Sequence, residues 1–417
     1  MPNMTDAGMS TQEFVKDERY DRFHEGPQGD EPVTWWDYEG GRWIVSGYEA
    51  VCAAARDPET FSSRHELPNG GSPYAGVMVP STPVRAVPIE IDPPLHQEYR
   101  KLLNNRFGPG AVRKLAPRFL EYTDWCIDEF IESGRADLFH GLAKLVPAMT
   151  TLHLLGLPVE DAEIFADAVH VRGEDRFELN SAWSLLLTRT TQTVVARRQK
   201  PEDDLVSYLL ASEVDGRKFT DMELVEICFT FVIGGMATTA RLALGALSYL
   251  AAHPDRRAAL VADPSRLPAA MEEFLRYYSP VPFLSRTATK DVCFYGKDIK
   301  AGDRVAIAYA AANRDPAVFE EPKAVRMDRS PNRHVGLGHG AHFCIGGSLG
   351  KSEATTMVQQ VLARIPDYRI VEDNWRAEDG KERPAPNWEA RISRGLEVGF
   401  TPGARLGTSS FTLNSLS

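Results

Sequence analysis

The feature that most constrains this fold is one long apolar segment in the second half of the chain. It opens at Thr220–Glu223, T-D-M-E, where the threonine can cap a helix and the glutamate can bond back to it. From there a helix is predicted as far as His253, a length of about 50 Å. Between residues 227 and 252 the only formal charge is Arg241. A helix this apolar either spans a membrane or crosses the core of a large domain, and the internal charge favours the buried central helix.

The composition is that of a globular protein. The chain has 417 residues, of which 43% are hydrophobic and 25% are charged, which is typical of a soluble protein with a large core. No Ser/Gly-rich linker or repeat divides it, so we predict a single domain over residues 41–403, a loosely ordered segment at 1–40 and a tail at 404–417. The net charge of −11 argues against nucleic acid as a partner.

The cysteines and the N-terminal segment indicate a compartment. The five cysteines are odd in number and widely scattered, which fits a reducing cytoplasm better than a disulfide framework. The N-terminal segment is polar and acidic through Asp30, without an apolar signal or anchor. We therefore expect a cytoplasmic protein of bacterial type with no membrane anchor.

The segment Leu337–Gly346, L-G-H-G-A-H-F-C-I-G, sets one cysteine between a glycine-rich approach and a run predicted to be helical. Gly336, Gly338 and Gly340 tolerate positive φ, so backbone N–H groups can converge on one point. The positive end of the following helix favours a thiolate. A thiolate held inside an apolar wall suits a soft metal centre, notably a heme iron.

Two other interpretations of Cys344 stay open at this point. A buried free cysteine is commonly a small hydrophobic residue. Together with His339 and His342 it could instead bind zinc, although a fourth ligand at finger-like spacing is missing.

Two further pairs of residues suggest a flat, acidic ligand. His96 and Arg100 are four apart and share one helical face, where two donors suit a carboxylate such as a heme propionate. The alternative is an ordinary solvated face. In the long helix, Gly234 and Gly235 cost about 1 kcal/mol each relative to alanine, which a flat or bulky group approaching the backbone would explain. The alternative there is a packed helix that Thr238 bends mildly.

These motifs resemble, in order and spacing, those of the cytochrome P450 family. The resemblance covers about Val33 to Thr401 and rests on five patterns: H-x-x-x-R at His96–Arg100, G-G-x-x-T-T at Gly234–Thr239, E-x-x-R at Glu273–Arg276, P-N-x-H at Pro331–His334, and the cysteine loop. It implies a mainly α fold with a smaller β-rich region, an α+β architecture in which the long helix lies over a heme.

The resemblance assigns the cofactor site. Cys344 would be the axial ligand of heme b, and His96, Arg100 and Arg286 would bind the heme propionates. The other residues assigned to the cofactor are Gly234, Gly235, Leu337, Gly338, His342 and Gly346. Leu337 stands where the family usually has phenylalanine, which is expected to alter packing near the sulfur rather than ligation.

The resemblance also assigns catalysis to Thr238 and Thr239, which would help to deliver protons to dioxygen. Ala237 occupies the place of the family's usual acid. Proton delivery is therefore expected to use water held by the two threonines, or a group supplied by the substrate. Arg241, four residues after Ala237, could hold a substrate carboxylate or pair with a buried acid.

A structural network and a substrate pocket complete the resemblance. Glu273 and Arg276 lie three apart on one helical turn, and with Arg329 they would form a buried structural network. The Pro/Gly/Ser-rich stretch Arg64–Pro94 would cover the distal face of the heme. The substrate-pocket candidates are Met78, Val79, Ile233, Ala237, Val281, Phe283 and Leu284.

The function implied is a heme-thiolate monooxygenase that hydroxylates or otherwise oxidises a small organic molecule, in secondary metabolism or catabolism. Electrons would come from a [2Fe–2S] or similar ferredoxin with a separate reductase, since the sequence has no flavin or iron–sulfur motif. A basic region would attract an acidic ferredoxin. Its members are Arg100, Lys101, Arg106, Arg113, Lys114 and Arg118, extended by Arg333 and Lys351. The alternatives are peroxide-driven oxidation or oxidative coupling, which Ala237 suggests, and a non-catalytic heme sensor or ligand carrier.

Several further elements are predicted from local patterns. The strands are Arg42–Ser46, Val281–Arg286, Val292–Tyr295 and Arg304–Ile307, with a hairpin near Trp388–Phe400. The helices are Glu49–Arg56, one from Leu95, Pro117–Ser133, Leu142–Leu155, Asp161–Val171, Ala182–Arg198 and Gly347–Ile365, with a polar connection at Arg172–Asn180.

Overall fold

The computed structural model describes residues 23, 31–37, 41–66, 74–79, 82, 84–170, 176–371, 395–407 and 411–414. The helices are α1 (Tyr48–Arg56), α2 (Leu95–Phe107), α3 (Pro109–Phe130), α4 (Leu145–Leu155), α5 (Ala162–His170), α6 (Arg176–Gln199), α7 (Leu205–Ala211), α8 (Asp221–Ala252), α9 (Pro254–Ala262), α10 (Leu267–Tyr278), α11 (Tyr309–Ala312) and α12 (Gly347–Arg364). The strands are β1 (Val33–Trp36), β2 (Arg42–Val45), β3 (Phe61–Ser62), β4 (Arg135–Asp137), β5 (Leu284–Ala288), β6 (Val292–Phe294), β7 (Lys297–Ile299), β8 (Arg304–Ile307), β9 (Arg369–Ile370) and β10 (Glu397–Gly399). The predicted mainly α architecture with a smaller β-rich region is confirmed.

Helix α8 is the centre of the helical core. It starts at the predicted capping box, in which the Thr220 hydroxyl accepts from the Glu223 N–H and the Glu223 carboxylate accepts from the Thr220 N–H. Helices α4, α5, α6 and α12 pack around it. It is long and apolar enough to span a membrane, with a mean hydropathy of 1.6, but 61% of that window is buried inside the protein. That degree of burial is what a core helix shows.

The larger sheet forms a second core beside the helices. Its five strands run in the order β1-β2-β8-β5-β3, with β2 parallel to β8 and the other pairs antiparallel. The apolar cluster packed on it includes Val33, Val45, Val51 and Ile307. Loose order was expected throughout residues 1–40, and this is wrong for Val33–Trp36, because β1 pairs with β2 over its whole length.

The starts of two elements differ from the predictions. Strand β5 begins at Leu284 rather than Val281, because Pro282 has no N–H to donate to a ladder. Helix α3 begins at Pro109 and passes through Pro117. A proline inside a helix costs about 3 kcal/mol, and the buried face that contains Val112 and Phe119 on either side of Pro117 compensates for it.

The other differences concern a connection between two helices and a predicted hairpin. The predicted connection Arg172–Asn180 is shorter, since α6 already begins at Arg176, and residues 171–175 lie outside the described residues. The hairpin predicted near Trp388–Phe400 is not found in its described part: β10 pairs with β4 and β9. The rest of that hairpin, through residue 394, lies outside the described residues.

Part of the tail packs on the helical core. The N–H groups of Leu406 and Gly407 donate to the Asp128 carboxylate of α3. The Phe411 ring meets the edges of Tyr122 and Trp125, with ring centroids 5.3 and 5.6 Å away. The described residues of the tail are therefore attached to α3.

Candidate active site

The cysteine loop is a tight turn held by its own backbone. The Cys344 N–H donates to the Leu337 carbonyl over 2.8 Å. Gly338 and Gly340 have φ of +75° and +70°, and a Cβ on Gly340 would collide with the Ala55 carbonyl. The predicted positive φ is confirmed at these two positions but not at Gly336.

The thiol of Cys344 lies in a mixed environment. Burial raises its pKa, while the Gly346 N–H that donates to the sulfur, and the charges of Arg100 and Lys351, lower it. The N–H at the start of the helix thus favours the thiolate, as expected, but burial is the larger effect. A metal cation at the sulfur supplies the charge that a buried thiolate requires.

Both α8 and the cysteine loop border open space. Gly234 is exposed although it lies in the middle of the buried helix, and a Cβ added there would meet nothing within 4 Å. The same holds for a Cβ on Gly346, and Cys344, although it lies deep in the protein, retains accessible surface. Helices α8 and α12 touch at the side of this space, where a Cβ on Gly350 would lie 3.1 Å from the Thr239 Oγ1. Each of these two glycines, Gly234 and Gly346, thus borders space that holds no side chain.

A cluster of donors without acceptors lies next to this space. The rings of His96 and His342 are 4.3 Å apart, and the Nδ1 atom of each is buried with no hydrogen-bond partner among the described residues. Burial lowers the pKa of His96 to about 4 and that of His342 well below its usual value. Each Nδ1 can therefore form a hydrogen bond to a bound group.

Two arginines complete this cluster. Arg100 donates to the Phe343 carbonyl over 2.6 Å, and Arg286 donates to the Ser285 carbonyl over 2.8 Å. Neither forms an ion pair with a carboxylate in the part of the chain that the structure describes. Their charges lie close enough to lower the pKa of His342. The nearest acid, Asp92, acts on His96 and accepts from Ser62 and the Ser63 N–H, so the two guanidinium groups suit the propionates of a heme.

The two predicted catalytic threonines face different ways. The Thr238 hydroxyl donates to the Gly234 carbonyl over 2.7 Å and is partly exposed on the open side of α8. Thr239 is buried and points at Gly350 of α12. One residue of helix turns a side chain by about 100°, so only Thr238 reaches the space.

The two glycines of α8, like the two threonines, face different surroundings. A Cβ on Gly235 would lie 2.9 Å from the Thr151 Oγ1 of α4. Gly235 was assigned to the cofactor, but it lies at a helix–helix contact and its missing side chain lets α4 approach. Only Gly234 borders the open space.

The pocket candidates divide into three groups. Met78 is 36% exposed, and Val79, Ile233 and Val281 are half-buried, so all four keep apolar surface available. Ala237 is buried and brings no polar group. Phe283, by contrast, stacks on Phe23 at 4.0 Å and packs on the outer side of the sheet.

Leu284 and Arg241 also have other partners. Leu284 is half-buried and packs against the apolar cluster of the sheet. Arg241 donates to the Pro280 carbonyl over 3.1 Å. This hydrogen bond is enough to explain the position of Arg241. Neither expected partner, a substrate carboxylate or a buried acid, is needed.

The predicted network around Glu273 is present. Arg276 donates twice to the Glu273 carboxylate at 2.8 Å, and both side chains are fully buried. Arg329 adds a contact at 3.0 Å and Asn332 another at 3.2 Å. The remaining Arg276 donors bond to carbonyls of residues 313, 322 and 324. The network holds the chain that leads into the cysteine loop.

Two further residues, Ser63 and Glu353, were not predicted. The Ser63 hydroxyl lies 3.2 Å from the His342 Nε2, across 279 residues of sequence. Glu353 of α12 is a fully enclosed carboxylic acid. No feature of the local sequence identifies Ser63. Glu353 could have been noticed, because a glutamate interrupts the apolar face of α12.

The zinc alternative finds no support in the geometry. Within the described ranges, no group of three His, Cys, Asp or Glu side chains is placed to hold a metal ion. His342 instead pairs with His96 beside the open space. A single cysteine near Arg100 and Arg286, which form no ion pair with a carboxylate within the described residues, fits a heme.

Comparison with known proteins agrees with this geometry. A family model described as cytochrome P450 matches residues 178–365. The chain is 36% identical over 379 residues to a steroid C26-monooxygenase of Mycobacterium tuberculosis, covering 88% of this chain and 97% of the relative. It is 33% identical over 337 residues to a vitamin D(3) 25-hydroxylase of Pseudonocardia autotrophica, covering 80% and 82%.

Solved structures show the same fold. The hydroxylase HmtN of himastatin biosynthesis superposes with a TM-score of 0.77 at 27% identity, covering 94% of this chain and 100% of that one. Substrate-free CYP109E1 of Bacillus megaterium superposes with a TM-score of 0.78 at 27% identity, covering 93% and 100%. The chain therefore belongs to the cytochrome P450 family of heme-thiolate monooxygenases, with heme as its cofactor and dioxygen as its co-substrate.

Proposed function

We propose that this monooxygenase hydroxylates an elongated, largely apolar substrate of the steroid class. The observation that carries the proposal is the 36% identity to a steroid C26-monooxygenase over nearly the whole chain, and the vitamin D(3) hydroxylase points to the same class. The apolar side chains that retain exposed surface, Met78, Val79, Ile233 and Val281, support it. Burial of such surface contributes about 25 cal/mol per Å² to binding.

The chain's residues divide the work around the cofactor. Bound heme supplies the redox-active iron at which dioxygen is activated. Cys344 would ligate the iron, while His96, Arg100, Arg286 and His342 would hold the propionates. The apolar lining excludes water from the reacting carbon.

Thr238 is the residue that would hold a proton next to dioxygen. Its hydroxyl donates to the Gly234 carbonyl, so its oxygen can still accept a hydrogen bond from water and pass a proton on. Ala237 offers no acid, and that water therefore has one protein partner fewer than in relatives that carry an acid there.

A ligand titration tests the substrate class. Sterols with an aliphatic side chain should displace water from the heme and shift its visible absorption band at micromolar concentrations. Fatty acids of equal carbon number serve as matched controls, because they offer similar apolar area without the rigid rings. A shift with the fatty acids and none with any sterol would contradict the proposal.

We infer that an acidic ferredoxin with a separate reductase supplies the electrons. Half of the predicted basic region is already paired: Lys101 with Glu98, Arg106 with Asp203, Arg118 with Glu121, and Lys351 with Glu272. Arg113 and Lys114 of α3 are exposed and form no ion pair with any described residue. They are the best candidates for docking.

Charge reversal tests this docking surface. Arg113→Glu with Lys114→Glu should slow ferredoxin-supported turnover, most strongly at low salt, where charges are least screened. Arg256→Glu with Arg266→Glu makes the same change in net charge on other exposed arginines and should have a smaller effect. If both double variants slowed turnover equally, Arg113 and Lys114 would not be the docking site.

A peroxide-driven reaction is the second candidate, and Ala237 favours it. Peroxide already carries the protons and electrons that an acid and a ferredoxin otherwise supply. Product formation driven by hydrogen peroxide at a rate equal to or above the ferredoxin-driven rate would favour this candidate.

A cytoplasmic location is supported by the cysteines, because all five are free thiols.

A further inference from the structure

Glu90 is a buried carboxylate to which the heme site and the proposed chemistry give no role. It is 1% exposed. Its Oε1 accepts the Val77 N–H over 2.8 Å, and its Oε2 accepts the Ala86 N–H over 2.8 Å and faces the His65 Nδ1 at 2.9 Å. A buried carboxylate with this many charge-assisted bonds fixes the groups it contacts.

The residue after Val77 begins the pocket lining. The Val77 N–H bonds to Glu90, and the Val77 carbonyl accepts the Ser285 N–H of β5 over 2.9 Å. Both backbone groups of Val77 are thus held, and Met78 and Val79 extend from a fixed point beside β5. Without the carboxylate, the Val77 N–H would be buried and unpaired, which favours a local rearrangement.

Gly76 shows that the chain is shaped around this carboxylate. Its φ is +69°, and a Cβ there would collide with the Glu90 Oε1 and the Glu90 Cδ. Its carbonyl accepts from the Arg304 guanidinium of β8 over 2.8 Å. Gly76 therefore gives a second, independent way to displace the carboxylate without changing Glu90.

We propose that Glu90 is a positioning residue that sets substrate selectivity by holding Val77, and through it Met78 and Val79, against β5. The inference rests on the proposed assignment of Met78 and Val79 to the substrate pocket. It does not depend on which substrate the enzyme uses.

The test uses the full-length, heme-loaded protein as wild type, Glu90→Gln, Gly76→Ala and the control Glu98→Gln. Glutamine keeps the size of the side chain but turns one acceptor oxygen into a donor, which cannot bond to a backbone N–H. Glu98 is a surface residue that pairs with Lys101 and does not touch this segment. Two variants that disturb the same contact guard against a folding failure of one.

The first readout is hydrogen–deuterium exchange without any substrate. Amides of the peptide that contains Val77 and Ala86 should exchange about tenfold faster in Glu90→Gln and Gly76→Ala, and at the wild-type rate in Glu98→Gln. Unchanged exchange in both variants would show that the carboxylate does not hold the segment, and would overturn the proposal. This readout is independent of the steroid assignment.

The second readout separates positioning from a general loss of structure. Imidazole binds heme iron without reaching the lining, whereas 4-phenylimidazole adds a ring that does. Affinity for 4-phenylimidazole should fall about tenfold in the two variants, while affinity for imidazole stays within about twofold. Equal loss for both ligands, or no loss for either, would assign Glu90 a purely structural role and overturn the selectivity claim.

Discussion

Glu353 is a carboxylic acid buried on the inner face of α12. It is 3% exposed, and burial raises the pKa of its carboxyl to about 8. It lies one turn after Gly350, which touches Thr239. At neutral pH it is therefore an enclosed acid that carries its proton.

This proton makes stability depend on pH. Because the pKa rises on folding, the native state holds the proton in the range from about 4.5 to about 8, where the unfolded chain loses it. The associated stability is full below that range and is lost as pH rises through about 8. Glu353→Gln should be more stable than wild type by on the order of 1–3 kcal/mol at pH 8.5, and similar at pH 4.5. Urea unfolding at the two pH values measures this; equal differences at both would contradict it.

Thr238 and Thr239 give a second prediction at this scale. Thr238→Ala should lower the product formed per electron consumed about tenfold or more, because a positioned proton donor contributes at least that much. Thr239→Ala removes a hydroxyl that faces α12, so the coupling of electrons to product should stay near wild type. Product and hydrogen peroxide yields per electron measure both; equal uncoupling would contradict the assignment of faces.

At the scale of elements, α8 combines two glycines with opposite surroundings. Gly234 faces open space, and Gly235 faces Thr151. In the heme-free protein, Gly234→Ala should gain up to about 1 kcal/mol of stability from helix propensity. Gly235→Ala should lose stability, because its Cβ forces α4 or Thr151 to move. Urea midpoints measure this, and destabilisation by Gly234→Ala would show that the space is not open.

The Glu273 network ties α10 to the chain before the cysteine loop. Glu273→Ala leaves Arg276 and Arg329 buried without their acid, which should cost about 3–5 kcal/mol and reduce heme retention. Glu272→Ala is the matched control on the adjacent residue. Its partners His334 and Lys351 lower the pKa of Glu272 to about 2, but it is partly exposed, so its loss should cost less. Comparable losses in the two variants would contradict a special role for the buried network.

Elements were predictable where the signal is local. The capping box at Thr220 and Glu223 located the start of α8, and Gly346 located the start of α12. Strand β1 was missed because Val33–Trp36 gains its order from pairing with β2 rather than from its own sequence. Strand β10 was misassigned for the same reason, since its partners β4 and β9 lie elsewhere in the chain.

At the scale of the whole molecule, the sequence was a better guide to which residues lie close together than to the direction in which their side chains point. The motif order brought together His96, Arg100 and Arg286, and the structure places all three near His342. The sequence could not predict which neighbouring element Thr239, Gly235 and Phe283 contact, because this depends on how the helices and the sheet pack. The contact of Ser63 with His342 joins two ends of the chain that share no motif.

The central claim is that Cys344 is the thiolate ligand of a heme that fills the space between the cysteine loop and α8. The carbon-monoxide difference spectrum of the reduced protein tests it most directly. Wild type and a His339→Ala control should both give the thiolate-type band, and Cys344→His should lose it while retaining heme. A thiolate-type band in Cys344→His would contradict the account.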